Sequence, residues 1–345
     1  MKVLVTGTEG YIGMRLAAWL LAAGHEVVGL DAGDYADGTL YLDTPGLPDR
    51  PHTFYKDLRE ITADDLDGCD AVVHLAELSN DPLGEHDPEV TFEINHRGSL
   101  GIAAAAREAG VGRFVYASSC SVYGAATADV VDESSPVNPQ TAYAECKVRV
   151  ERDLGEQADE DFCVVFLRNA TAYGPSPRMR FDIVLNDLCA LAWTRGRIEM
   201  ISDGSPWRPI VHVEDICEAA RCALEAPADA VNGEVFNVGA TQENYRIREI
   251  AEIVANVFPG CEMSCGPPSG DNRSYRVSFD KISAGLPGFR ARWSAEEGAR
   301  ELRALFERIR FTESDYGFRA FTRLKQLKHL QETGQLDARL RWSAR

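Results

Sequence analysis

Lys2-Val3-Leu4-Val5-Thr6-Gly7-Thr8-Glu9-Gly10-Tyr11-Ile12-Gly13 is a short apolar run leading into three glycines, and residues 12–23 carry apolar side chains at helical spacing. An apolar run of this kind forms a buried parallel strand, so the glycines sit on a strand-to-helix turn. Each has its own physical reason: Gly7 takes the positive φ of the tight turn, Gly10 lets the backbone approach a pyrophosphate, and Gly13 lets the helix lie close to the strand. The helix start, Tyr11 and Ile12 included, offers free N–H groups and a positive dipole end to phosphates. The next strand, residues 26–30, ends in Asp31, eighteen positions after Gly13. A carboxylate there accepts hydrogen bonds from a ribose 2′-hydroxyl and repels a 2′-phosphate, which points to NAD rather than NADP.

Strand and helix patterns then alternate. Residues 52–55 read as a short strand, 70–76 as a strongly apolar one, 89–109 as a helix closed by Gly110, 113–118 as a strand, 141–158 as a helix and 162–168 as a strand. Such alternation implies the α/β class, a Rossmann-type doubly wound parallel sheet covered on both faces. Beyond Gly174 the loops lengthen and the elements mix, so a smaller mixed C-terminal domain is expected. The predicted division is 1–170 for the dinucleotide domain and 171–345 mainly for the substrate, with an apolar strand at 234–238 returning to the sheet. Leu324, Leu327 and Leu330 recur at helical spacing and read as a docked surface helix within an extension that begins near residue 300.

With 345 residues and 45% hydrophobic content the chain can hold one large or two modest domains with a sizeable core. No apolar run reaches the roughly 20 residues of a membrane span, and the N-terminus runs straight into a strand without the pattern of a signal peptide, so a cytoplasmic protein with no membrane partner is expected. The nine cysteines form no CxxC pair and lie mostly in apolar segments; they read as reduced, buried small hydrophobes, and no metal is expected. A net charge of −18 argues against nucleic acid or an anionic membrane surface as partner. The charge is uneven, however: residues 301–345 hold ten Lys+Arg against six Asp+Glu. A small anion can still bind where arginines gather beside Gly, Pro and Trp. The candidates are Arg178 and Arg180 in the loop 174–180, Arg208 after Trp207, and Arg273 and Arg276 in the segment 271–276.

Tyr143-Ala144-Glu145-Cys146-Lys147 places a phenol and an ammonium at i and i+4, on one helix face. A free phenol, with a pKa of about 10, is too weakly acidic to serve as a base at neutral pH, but a nearby ammonium and a positive nicotinamide ring both favour phenolate. Tyr143 can then take the proton of a hydroxyl while hydride leaves the same carbon for NAD. With the glycine turn, this pair reads as redox chemistry on a nicotinamide cofactor.

Over about residues 1–290 the chain resembles the extended short-chain dehydrogenase/reductases of the NAD-dependent nucleotide-sugar epimerase/dehydratase family. The likeness rests on the glycine turn, Asp57-Leu58-Arg59, Asp70 to Ala76, the string Phe114 to Gly124 (FVYASSCSVYG), the Tyr143/Lys147 pair, Arg168 through Tyr173-Gly174-Pro175, and Arg208 through Asp215. It implies that Asp57 and Leu58 hold the adenine, that Leu75 and Ala76 lead into a loop lining the cofactor, and that Lys147 also holds the nicotinamide ribose. Ser119 matches the family's catalytic Ser/Thr, and Arg208 an arginine that grips the substrate diphosphate. The implied substrate is a nucleotide-diphosphate sugar. The implied assembly is a homodimer in which the helices carrying 89–109 and Tyr143–Lys147 pair with their copies.

Departures from the family pattern concern the substrate side. Glu77 stands where a small residue is usual, so its carboxylate faces sugar or cofactor, or else points to solvent from the loop 78–82. Thr171 replaces the family's asparagine, with Asn169 nearby as a substitute. The dehydratase acid and base positions after the catalytic serine hold Cys120 and Ser121, so elimination of water lacks its machinery. Oxidation at carbon 4, a flip of the ketone and return of hydride need only Ser119, Tyr143, Lys147 and bound NAD. Epimerisation at carbon 4 is therefore the economical reading, with a reductase, dehydrogenase or dehydratase of a nucleotide-linked sugar as the alternative and a non-catalytic dinucleotide sensor as a remoter one.

Overall fold

The first strand, β1 (Lys2–Thr6), lies inside the main sheet of the protein, described here from a computed structural model over residues 1–42, 50–79, 81–125, 128–268 and 274–343. The strands that follow in the first half are β2 (Glu26–Asp31), β3 (His52–Tyr55), β4 (Ala71–His74), β5 (Arg113–Ser119) and β6 (Cys163–Asn169). Beyond them come β7 (Thr171–Tyr173), β8 (Arg197–Met200), β9 (Trp207–His212), β10 (Val235–Val238), β11 (Asn244–Arg246) and β12 (Glu262–Cys265). Seven of these form one parallel sheet in the order β10-β6-β5-β4-β1-β2-β3. The strand order reverses at β1, between β2 and β4, and this switch point opens a crevice at the carboxyl ends of the strands. A second sheet, β11-β9-β7, is mixed, and β12 pairs with β8 alone.

The helices of ten or more residues are α1 (Tyr11–Ala22), α2 (Ser99–Glu108), α3 (Ala142–Gly155), α4 (Val184–Arg195), α5 (Val213–Glu225), α6 (Ile247–Val257), α7 (Ala295–Ile309) and α8 (Arg323–Glu332). Side chains alternate across each strand, so both faces of the sheet are apolar. Val3, Val5, Val73, Val115 and Val165 meet α1 and α5 on one face, while Leu4, Val72, Phe114 and Val164 meet α2 and α3 on the other. A third core joins α4, α6 and α7 beneath the small sheets.

The helix expected over 89–109 departs from regular geometry at its centre. It starts at Pro88, with Asp87 accepting a hydrogen bond from the Val90 N–H (3.1 Å), but widens to a π-helix over Phe92–Gly98 before α2. The extra residue in the turn brings Asn95 against the backbone of Leu78, to which its amide donates (3.0 Å) and from which it accepts (2.8 Å). Widened turns of this kind recur at functional sites. This one fixes the loop that follows Ala76.

Candidate active site

The glycine turn has the geometry a phosphate cradle requires. Gly7 has φ +73°, and a Cβ there would come 3.0 Å from the Ala76 nitrogen; a Cβ on Gly13 would lie 1.9 Å from the Gly7 carbonyl oxygen. Gly10 precedes α1, whose first turn has neither a capping side chain nor an acidic residue. The N–H groups at that helix start therefore face an open groove with about 980 Å³ of free space. The groove runs from Asp57 and Leu58 past Asp31 and Gly10–Gly13 to Leu75, Ala76 and Glu77, so every residue expected to hold the cofactor on its dinucleotide side lines one continuous surface. Asp31 is buried and accepts hydrogen bonds from the N–H of Glu9 (2.9 Å) and of Gly33 (2.7 Å); burial raises its pKa, and these two bonds oppose the rise. The donor set and the glycine turn fit a dinucleotide.

Tyr143 and Lys147 project from α3, which Thr141 caps by accepting the Ala144 N–H (3.2 Å), toward the end of β5. The Tyr143 hydroxyl is hydrogen-bonded to Ser119. Burial raises the pKa of the phenol, while Lys147 and the bond to Ser119 lower it and Glu77 raises it. The lysine ammonium lies 5.5 Å from the Tyr143 ring centre and 4.6 Å from that of Tyr116.

Glu77 does not point to solvent. Its carboxylate is buried and meets the Lys147 ammonium at 2.5 Å, and Lys147 also donates to the Ala117 carbonyl. Burial would depress the lysine pKa, but Glu77 and Tyr143 outweigh it, so the ammonium is held above its ordinary range. Tyr116 donates to the same carboxylate (2.6 Å), and Ser99 donates to the Asn95 carbonyl (2.5 Å) and approaches Glu77 at 3.3 Å. Behind Ser99, His74 lies 2.8 Å from the serine through Nε2 and 2.7 Å from the Thr6 hydroxyl through Nδ1. Burial, with Lys147 adding to it, pushes this imidazole down to about 3, so it is neutral. Since Ser99 spends its proton on Asn95, His74 donates from Nε2 and accepts at Nδ1 from Thr6. Thr6 in turn accepts from the N–H groups of Leu75 (3.1 Å) and Ala76 (3.2 Å). A buried polar chain thus joins Lys147 to the strand that bears the glycine turn.

A second cavity adjoins the groove, lined by Ser119, Ser121, Tyr143, Lys147, Asn169, Thr171, Arg180 and Arg208 among others. Ser121 Oγ and Asn169 Oδ1 are buried there without a hydrogen-bond partner, which a folded protein tolerates where a ligand supplies one. The carboxylates at its wall are engaged: Asp81 accepts from Thr141 (2.6 Å), Asp182 pairs with Arg180 (2.8 Å), and Glu77 holds Lys147. Cys120 turns away into the core, its thiol donating to the Arg168 carbonyl (3.2 Å) and raised in pKa by burial.

The arginines divide. Arg180 reaches both groove and cavity. Arg208 lines the cavity, donates to the Trp207 carbonyl (2.8 Å) and lies 5.9 Å from the Tyr275 ring centre. Arg178, expected to meet substrate, is instead buried beneath the glycine turn: it pairs with Glu9 at 2.6 Å and donates to the Glu9 and Ala36 carbonyls. An acidic partner inside the turn captured it, a contact between residues 169 positions apart that spacing does not reveal. Arg273 lies outside the described residues. Arg276 pairs with Asp129 on the surface. Sequence reasoning passed over Tyr116, Asp182, and the C-terminal residues Arg323 and Leu340 that also line the groove. For Glu77 the signal was present, a carboxylate directly after an apolar strand end.

The chain belongs to the NAD dependent epimerase/dehydratase family, whose model matches residues 3–239. It is 33% identical over 288 residues to a UDP-glucose 4-epimerase of Mycolicibacterium smegmatis, covering 80% of this chain and 90% of the relative. Among solved structures it is similar to MoeE5 in complex with UDP-glucose and NAD (TM-score 0.75, 27% identity, 89% of this chain and 99% of that one). It is also similar to DesIV, a dTDP-glucose 4,6-dehydratase from Streptomyces venezuelae with NAD bound (TM-score 0.76, 26% identity, 91% and 100%). Among the described residues no helix is long and apolar enough to cross a membrane.

Proposed function

We propose that the protein interconverts nucleotide-diphosphate sugars that differ in configuration at carbon 4, through a 4-keto intermediate, with NAD retained throughout. The observation that supports this reading is the position of Ser119, Tyr143 and Lys147 in the second cavity, which adjoins the groove through Leu75 and Glu77, with the carboxylates of that wall already engaged and Cys120 buried in the core. Bound NAD supplies a two-electron acceptor that later returns what it took. Tyr143, as phenolate, takes the proton of the 4-hydroxyl, Ser119 holds the same oxygen and relays the proton, and the Lys147 ammonium favours the charged phenol. Ser121 and Asn169 offer partners to sugar hydroxyls, and Arg180 and Arg208 supply positive charge for the diphosphate. For proton abstraction at carbon 5, the step a 4,6-dehydratase adds, the carboxylates among the described residues of the cavity wall, Glu77, Asp81 and Asp182, are already paired or hydrogen-bonded.

On this reading residues 1–170 serve the cofactor and 171–345 mainly the sugar nucleotide. The assembly is a homodimer formed by the outer faces of the helical stretch 88–108 and of α3, where the exposed Gly101 and Ala104 permit close approach. The compartment is the cytoplasm, a reading supported by nine cysteines that are all free. Nuclear magnetic resonance of UDP-, GDP-, CDP- and dTDP-sugars incubated with the NAD-loaded protein tests the activity. One pair of 4-epimers should equilibrate without net consumption of NAD, with a deuterium at carbon 4 retained and none entering carbon 5 from solvent. Solvent deuterium at carbon 5 would overturn the epimerase assignment, and light scattering that finds only monomer at micromolar concentration would overturn the dimer.

A further inference from the structure

The basic C-terminal segment is tied across one end of the dinucleotide groove. Leu327, Leu330 and Leu336 are buried in the same core as Leu58 and Ile94, so α8 and the turn after it are anchored beside the adenine end rather than hung on the surface. From this anchor Arg323 and Leu340 reach the groove wall, facing Asp31, Tyr35, Leu58 and Ile94. The Arg323 guanidinium stacks 4.1 Å from the Tyr35 ring centre and is buried. Leu340 holds φ +56°, unusual for a branched side chain, in the turn closed by the Leu340 N–H to the Asp337 carbonyl (3.0 Å). Trp342 then donates to the Ala32 carbonyl (2.7 Å) and to Asp34 (3.1 Å), while Gln326 donates to the Asp34 carbonyl (3.1 Å). Both loops that flank the groove's adenine end are bound in this way. The loop after β3 is held by Arg59, which donates to the Arg339 carbonyl (2.9 Å), and by Arg341 on Glu60 (2.7 Å); Arg339 adds Glu93 (2.5 Å).

Part of the basic excess of residues 301–345, Arg339 and Arg341, thus lies against Glu60, Glu89 and Glu93 beside the groove of an otherwise acidic protein. We propose that the segment 323–342 is a working part of the cofactor site: Leu340 closes the apolar wall for the adenosine half of the dinucleotide opposite Leu58 and Ile94, Arg323 holds the Tyr35 side of that wall, and the cofactor leaves only when the strap lifts. A cofactor that is reduced and then re-oxidised within every cycle has no need to exchange, and a strap that slows its release suits that economy. The inference rests on NAD occupying the groove.

The test is the dissociation rate of NAD from the full chain, followed by displacement with excess unlabelled ADP-ribose after loading with radiolabelled NAD. Leu340→Ala, which removes the wall, and the double variant Arg339→Gln/Arg341→Gln, which unties the strap at exposed positions, should each release NAD faster, by roughly tenfold for Leu340→Ala. Release from the unmutated protein should also quicken with salt, because the ties are partly exposed ion pairs. ADP-ribose affinity should fall with NAD affinity in both variants, while nicotinamide mononucleotide affinity stays unchanged, an asymmetry that general destabilisation would not produce. Unaltered release in both variants, with unmutated melting temperatures, would overturn the strap. A full-length protein that takes up no dinucleotide at all would instead overturn the reading of the groove.

Discussion

The groove and the second cavity share Leu75, Glu77 and Arg180 at their boundary but are built in opposite ways. Along the groove Asp31 is bonded by two backbone N–H groups and Asp57 by Arg59 before any ligand arrives, and beneath the glycine turn Glu9 is paired with Arg178. What the groove leaves open is backbone, the helix start at Gly10–Gly13, and apolar wall. The cavity leaves side-chain atoms unmet, Ser121 Oγ and Asn169 Oδ1. On the proposed reading, a site that binds one permanent cofactor can be finished in advance, whereas a site that accepts a sugar in two configurations keeps its donors and acceptors uncommitted.

The sharpest way to separate the two is Tyr143→Phe. Losing the proton acceptor should lower kcat on the order of 10²–10⁴-fold, while NAD binding measured by calorimetry stays near that of the unmutated protein. Near-normal turnover would move the chemistry elsewhere in the cavity.

Glu77→Gln strikes the boundary itself. Leaving Lys147 without its buried counter-charge should cost about 3 kcal/mol of stability in chemical unfolding. The same change alters catalysis in a determinate direction. The carboxylate raises the Tyr143 pKa, so its removal lets Lys147 act unopposed and the pKa falls. Because the rate rises as Tyr143 deprotonates, the acid limb of the kcat/KM profile should move to lower pH. A limb that stays in place or moves upward would show that Glu77 does not act through this pair.

Asp31→Ala tests whether the finished groove still discriminates. The ratio of NAD to NADP affinity should narrow roughly tenfold, the worth of one charge-assisted hydrogen bond, and equal affinities in the unmutated protein would remove the argument. The smallest effects are expected in the cavity. Asn169→Ala and Ser121→Ala should each raise KM a few-fold, roughly what about 1 kcal/mol per neutral hydrogen bond provides, with NAD affinity unmoved. Loss of NAD by either variant would erase the distinction between the two regions.

Much of this was legible before any tertiary contact was known. The strand at His52–Tyr55 falls where its pattern placed it, the central strands within a residue or two at most ends, and Gly7 and Gly13 carry the backbone reasons assigned to them. Short-range physics governs such features: apolar alternation, helical spacing and the absence of a Cβ act within a few residues. The Tyr143/Lys147 pair was readable for the same reason, being four residues apart on one helix. Arg178 was misjudged because a loop arginine beside glycine and proline reads alike whether it meets a phosphate or a carboxylate from the far side of the molecule.

By itself the sequence determined the parallel sheet, the glycine turn with its acidic partner strand, and the spacing of Tyr143 and Lys147, all of them properties of contiguous segments. Only the tertiary structure decided that Glu77 would pair with Lys147 across 70 residues, that Cys120 would face the core, and that Arg323 and Leu340 would reach a groove begun at residue 7. The reason is that burial and ion pairing are set by which elements pack together. A carboxylate, a thiol or a leucine acquires its role from the neighbours that folding delivers, and those neighbours are not written in the residues beside it.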